Sequence, residues 1–160
     1  MANFQEISFH LNGTHISMRV ESHLNLVELL NQFNLCGARE SCGQGLCGCC
    51  SVLVNQQAVS ACLTIASTVH GKSIETVEGL SNANEPIHPI QQSFIDSGAF
   101  QCGFCTPGFI MMTKALLAEN PDPSDEDIRH YFSGNLCRCG SYPEIMTAVK
   151  QAARMMLTHS

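Results

Sequence analysis

The sequence predicts an α+β chain, with a small mixed sheet crossed by one helix in its first half and a bundle of four short helices in its second. Three observations carry this. Apolar residues alternate with polar ones over the first twenty positions, then recur at helical spacing after Pro89. A glycine-rich stretch, residues 36–50, interrupts the first half. The cysteines fall into two groups of unlike spacing, one in each half. The expected division is 1–81 and 82–160, joined by the polar stretch Ser81-Asn82-Ala83-Asn84-Glu85-Pro86.

Ile7, Phe9 and Leu11 alternate with polar neighbours, and Asn12-Gly13 offers the two positive-φ positions of a tight hairpin turn. Ile16, Met18 and Val20 alternate on the return. Asn25 followed by Glu28 has the form of a capping box, opening a short helix with Leu26, Leu29, Leu30 and Phe33 inward. The stretch Cys36 to Cys50 is too rich in glycine for regular structure, and Val52-Leu53-Val54 and Ile74-Glu75-Thr76-Val77 read as further strands.

In the second half, Pro89 to Ser97 places Ile90, Phe94 and Ile95 at helical spacing, with Gly98 positioned to end the helix. Thr106-Pro107 reads as the N-cap and first-turn pair of a helix running to Glu119 and stopped by Asn120-Pro121. Ser124 and Asp127 open a third helix that ends near Gly134. Pro143 begins a fourth, with Ile145, Met146, Val149 and Ala153 inward. Four such helices suit a bundle.

Of 160 residues 44% are apolar, enough for real cores, although each half is near the size at which a metal site or a partner adds to stability. The net charge is −6 with Lys and Arg scattered, so neither nucleic acid nor an anionic membrane surface is an expected partner. No apolar run nears the roughly 18 residues that span a bilayer. Met1-Ala2-Asn3-Phe4-Gln5-Glu6 lacks a basic flank with an apolar core, and the expectation is a cytoplasmic protein. Thiols stay reduced in that compartment, which turns ten cysteines toward metal chemistry rather than disulfides.

Cys42, Cys47, Cys50 and Cys62 form C-x4-C-x2-C with a distant fourth cysteine, the spacing by which plant-type ferredoxin loops hold a 2Fe-2S cluster. Gly43, Gly45 and Gly48 between them allow the backbone to fold closely around a cluster and present N–H groups to it. The second group is C-x2-C at Cys102 and Cys105, then C-x-C at Cys137 and Cys139. Each pair precedes an expected helix, whose free N–H groups stabilise thiolates. That setting would serve zinc as well as a cluster, and a tetrahedral site built from Cys47, Cys50, Cys102 and Cys105 is the duller reading. It leaves the other four cysteines idle. A Rieske centre needs histidine ligands, and none of His10, His15, His23, His70, His88, His130 and His159 adjoins these cysteines. GQGLCG (43–48) matches G-x-G-x-x-G, yet no helix is expected after it, so it is no dinucleotide fingerprint.

ESCGQGLCGCC (40–50), QCGFCTPG (101–108) and GNLCRC (134–139) together resemble the small iron–sulfur subunit of the molybdenum hydroxylases. That family includes xanthine dehydrogenase, aldehyde oxidoreductase and the nicotinate, carbon monoxide and 4-hydroxybenzoyl-CoA enzymes. The resemblance implies an N-terminal plant-type ferredoxin-like (β-grasp) domain, a C-terminal four-helix bundle and two 2Fe-2S clusters. It implies that the cluster of Cys102, Cys105, Cys137 and Cys139 lies toward a molybdopterin cofactor on a large partner subunit. The cluster of Cys42, Cys47, Cys50 and Cys62 would lie toward FAD on another subunit. Gln101 and Cys139 would touch the pterin, and the assembly would be a dimer of heterotrimers. This chain alone would catalyse nothing and would relay electrons. Cys49 stands where the family usually carries alanine, and reads as a small passive substitute. Cys36 is also off the pattern and reads as a buried free thiol. Gly140-Ser141-Tyr142 replaces the usual Thr-Gly-Tyr. Two rival readings stay open: a freestanding ferredoxin-like carrier, and a zinc-stabilised interaction module.

Overall fold

Asn12 (φ 48°) and Gly13 (φ 82°) both take the left-handed region, and the chain reverses tightly between β1 (Phe4–Leu11) and β2 (Thr14–Glu21). The computed structural model describes residues 3–81 and 84–158. Met1 and Ala2, the expected linker residues Asn82 and Ala83, and His159 and Ser160 lie outside the described residues. Asn12 does more than turn the chain. Its Oδ1 accepts from the Thr76 N–H at 2.9 Å and its Nδ2 donates to Thr76 Oγ1 at 3.0 Å. Asn12→Ala would strain the turn and take both side-chain partners from the N–H and Oγ1 of the buried Thr76. The expected cost is about 2 kcal/mol, read as a lower unfolding midpoint.

The Asn25–Glu28 capping box forms in both directions and opens α1 (Leu26–Gln32), with Leu26, Leu29 and Leu30 fully buried and Phe33 half-buried at the C-cap. β3 (Ser51–Val54), β4 (Gln57–Ser60) and β5 (Ser73–Glu75) complete a five-stranded mixed sheet in the order β2-β1-β5-β3-β4. β5 runs parallel to β1, while β3 pairs antiparallel with both β4 and β5. β4 has no counterpart among the strands the sequence predicts. The turn before it uses Asn55 (φ 49°) and Gln56 (φ 67°), and glutamine is not a residue that announces positive φ. The expected strand through Val77 stops at Glu75, where a short 3-10 turn, Val77–Gly79, takes over.

Four helices follow: α2 (Pro89–Asp96), α3 (Thr106–Glu119), α4 (Asp125–Tyr131) and α5 (Tyr142–Thr158). Gly98 takes φ 58° just past α2, and Ser124 with Asp127 forms the capping box of α4. Ile95 is exposed rather than inward, since the buried face of α2 is Ile90, Ser93 and Phe94. α4 ends at Tyr131, earlier than Gly134. Thr106 is not the cap of α3. Cys105 occupies that position, and Thr106 Oγ1 is buried without a partner. No helix among the described residues is long and apolar enough to cross a membrane.

One core lies between the sheet and α1; a second lies among the four helices. The two are stitched together by α3. Val52 and Val54 face the sheet's core, while Leu53 packs against Met111 and Ala115 of α3. β3 is therefore buried on both faces, which is why it reads as a continuous apolar run. Lys114 of α3 pairs with Glu75 of β5 across the same contact.

Candidate metal centres

The turn Cys47-Gly48-Cys49-Cys50 is where the halves interlock. Cys47 and Cys49 belong to the helical core, Cys50 to the sheet's core. The Leu136 N–H donates to the Cys47 carbonyl at 2.9 Å, and the Arg39 N–H donates to the Cys49 carbonyl at 3.1 Å. Gly48 takes φ 69°, and any side chain there would run into the Asn135 amide. From the other side Gly108 of α3 presses on the same turn. A Cβ at Gly108 would overlap the Gly48 carbonyl oxygen and stand 3.2 Å from Cys49 Cα.

Around this turn the eight singled-out cysteines form four side-by-side pairs. Cys42 lies within hydrogen-bonding reach of Cys47, and Cys50 of Cys62, in the first group. Cys102 meets Cys139, and Cys105 meets Cys137, in the second. Main-chain N–H groups favour the thiolate at Cys42, Cys102 and Cys137. The Gln44 N–H, 3.4 Å from Cys42 Sγ, then those of Leu46 and Cys47, hold Cys42 down at about 6. The Phe104 N–H, then the Cys139 thiol, lower Cys102. Burial pushes Cys137 up, but the Ser141 N–H, the Cys105 thiol and the N–H groups of Cys139 and Gly140 outweigh it and hold it below the usual thiol range. Burial raises Cys50 to about 11 and Cys105 to about 12.

These shifts have a measurable sequel. The thiolate is the reactive form, so the metal-free chain at pH 7 should be alkylated at Cys42 and Cys102 before Cys49 or Cys105. Cys42 labelling should persist below the ordinary thiol value of 9.0 and fade as pH falls through about 6. Buried thiols at about 12 stay neutral until strongly alkaline pH. Mass spectrometry of the alkylated chain gives the order directly.

Tyr142, the first residue of α5, accepts the Cys137 N–H on its hydroxyl at 2.9 Å and so orients the C-x-C turn. Gln101 lies beside Cys139, its Nε2 donating to the Cys139 carbonyl at 3.2 Å. Cys42, Cys47, Cys49, Cys102, Cys105 and Cys137 share the wall of one cavity of about 520 Å³. Cys49 sits between the groups, its thiol buried and pushed up to about 12 by desolvation and then by Cys47. Cys36 is exposed, not buried, because the loop carries it to the surface before Gly37 anchors to Glu78. Among the described residues no three Cys, His, Asp or Glu side chains close on a point as a single ion would require.

The donor set fits 2Fe-2S clusters. Each group supplies four thiols, Cys42 in one and Cys137 in the other already have several N–H groups aimed at their sulfurs, and the buried Ser141 hydroxyl beside Cys137 has no partner among the described residues. Arg39, Asn135 and Tyr142 help build the site, and sequence reasoning gave them no role. Only the place of Tyr142, three residues after the C-x-C pair, hinted at one.

The sequence matches the family described as 2Fe-2S iron-sulfur cluster binding domain over residues 9–79 and the 2Fe-2S binding domain over residues 76–150. It is 43% identical over 147 residues to the nicotinate dehydrogenase small FeS subunit of Eubacterium barkeri, covering 91% of this chain and 93% of that one. It is 40% identical over 151 residues to a probable xanthine dehydrogenase subunit from Bacillus subtilis, covering 94% of this chain and 86% of that one. Among solved structures, a chain of quinoline 2-oxidoreductase from Pseudomonas putida 86 superposes with a TM-score of 0.91 at 39% identity, with 97% of each chain covered. The aldehyde oxidoreductase of Desulfovibrio desulfuricans matches with the same TM-score at 38% identity, over 98% of this chain and 18% of its own. With both cysteine groups assembled and relatives matched along nearly their whole length, the chain belongs to the small iron–sulfur subunits of the molybdenum hydroxylase (xanthine dehydrogenase) family.

Proposed function

We propose that this chain is the electron-transfer subunit of a molybdenum hydroxylase, relaying electrons from a molybdopterin centre on a large partner subunit through two 2Fe-2S clusters to FAD on another. The observation that carries the reading is the side-by-side pairing of the eight cysteines into two groups of four, one of which includes the Cys47–Cys50 turn. The clusters would supply one-electron steps near about −400 mV for a plant-type site. In this reading Cys42, Cys47, Cys50 and Cys62 hold one cluster, and Cys102, Cys105, Cys137 and Cys139 hold the other. Residues 1–81 act as the ferredoxin-like domain and 82–160 as the four-helix bundle.

The chain's own residues then do three things. N–H groups of Gln44, Leu46 and Cys47 and of residues 139–141 stabilise thiolate charge. The Cys47 carbonyl, bonded to the Leu136 N–H next to Cys137, provides a short bonded route between the groups. Gln101 and Cys139, held together by their hydrogen bond, form the contact with the pterin. We read the protein as cytoplasmic and its assembly as a dimer of heterotrimers.

Low-temperature EPR on anaerobically purified, dithionite-reduced protein, with iron and sulfide assayed on the same sample, tests the reading. Two distinguishable 2Fe-2S signals and two irons for each group of four cysteines are expected. A single ferredoxin-like signal with zinc in the second group would overturn it.

A further inference from the structure

Arg39 stands three residues before Cys42 and reaches out of the first half. Its Nη1 donates to the Gly103 carbonyl at 2.9 Å and to the Phe104 carbonyl at 3.2 Å. Its guanidinium carbon lies 5.3 Å from the centroid of the Phe104 ring. Its own N–H donates to the Cys49 carbonyl. One residue thus holds both the turn between Cys102 and Cys105 and the turn between Cys47 and Cys50. The first of these turns has little else to hold it. Among the described residues, the main chain of 101–104 makes no main-chain hydrogen bond to another segment, and Gln101, Cys102 and Phe104 are exposed. Phe104 lines the cavity shared by Cys42, Cys102 and Cys105, so the guanidinium lies against a residue of the wall that both cysteine groups share. A planar guanidinium can lay its face on a ring while its in-plane N–H groups reach carbonyls, whereas an ammonium has no plane to stack.

We propose that Arg39 is a positioning residue that fixes the separation of the two cysteine groups and thereby sets the electronic coupling between the clusters they hold. The inference rests on the relay reading above. A merely stabilising surface arginine would leave the clusters' mutual interaction untouched. Arg39 also brings positive charge to a place where reduction adds negative charge on both sides, which raises both midpoints.

The test uses the full complex with Arg39→Gln and Arg39→Lys, reduced anaerobically and compared with the unmodified complex. EPR reads the splitting that each reduced cluster imposes on the other, a potentiometric titration reads both midpoints, and rapid mixing with reductant reads the rate at which the clusters equilibrate. Arg39→Gln is expected to keep full iron and sulfide, lose the splitting, slow the equilibration and lower both midpoints. Arg39→Lys keeps the charge without the planar group that stacks on Phe104. It should hold both midpoints and recover only part of the splitting and rate. If Arg39→Gln fails to load, Arg39→Lys decides alone by the same readouts. Unchanged splitting and rate in a loaded variant overturn the proposal. An Arg39→Lys chain that loads no cluster overturns it too, by making the residue a folding requirement. If the unmodified complex lacks two 2Fe-2S signals, the relay reading fails instead.

Discussion

Cys105→Ser is expected to extinguish one of the two iron–sulfur signals and leave the other standing. Cys105 is nearly buried, caps α3, and lies against Cys137. A serine hydroxyl there ionises far less readily than a thiol and is a hard donor where a soft one is needed. Cys137 would lose its partner across the site. Removing an outer-shell partner of a metal ligand typically costs about 10–100-fold in affinity. On the relay reading a directly binding sulfur costs more, so substrate-driven reduction of a partner's FAD should fall by more than about 100-fold. The first group keeps its four cysteines and should keep its spectrum. Cys49→Ala is the matched control. It removes a neighbouring buried sulfur that belongs to neither group and should leave both signals in place. EPR of the two variants side by side decides the assignment, and loss of either signal in Cys49→Ala would move that residue into the ligand set.

Gly108→Ala should destabilise the protein although it places alanine in a helix. Inside a helix the exchange would ordinarily gain about 1 kcal/mol. Here the new Cβ meets the Gly48 carbonyl oxygen, a backbone atom anchored within the interlocked turn, and not the tip of a flexible side chain. Overpacking of this kind costs roughly 1–3 kcal/mol. Relief would require α3 to slide off β3 and take Met111 and Ala115 from Leu53. A net loss of about 2 kcal/mol is expected on thermal unfolding, with a shifted first-group EPR spectrum because Cys47 and Cys50 flank the displaced Gly48. A raised midpoint would show that the helix and turn can part without cost.

Features written in local code were readable in the sequence. Asn12-Gly13, the Asn25–Glu28 and Ser124–Asp127 capping boxes, and the C-x4-C-x2-C loop each draw their meaning from neighbours a few residues away. Features decided by distant contacts were not. β4 follows a turn made by Gln56, whose positive φ is imposed by pairing with β3. Ile95 keeps helical spacing, yet it falls outside the face that α2 offers to α5. Thr106-Pro107 looks like a cap because the sequence does not show that Cys105 takes that place. Arg39 looked like one scattered base among eight Lys and Arg residues. Its partners lie 64 and 65 positions away, beyond any periodicity.

The interlocked turn also bears on how the site is built and repaired. Cys105 and Cys137 open onto a cavity whose wall includes Cys47 and Cys49, so the inner pocket is closed partly by the other half's loop. On the two-cluster reading, iron and sulfide for Cys105 and Cys137 enter a cavity that the other half's loop helps to wall. The Leu136–Cys47 and Arg39–Cys49 bonds tie that wall to the rest of the site, so replacing a cluster there would disturb the seam. Maturation and oxidative damage at one group are therefore events that the other group experiences as well.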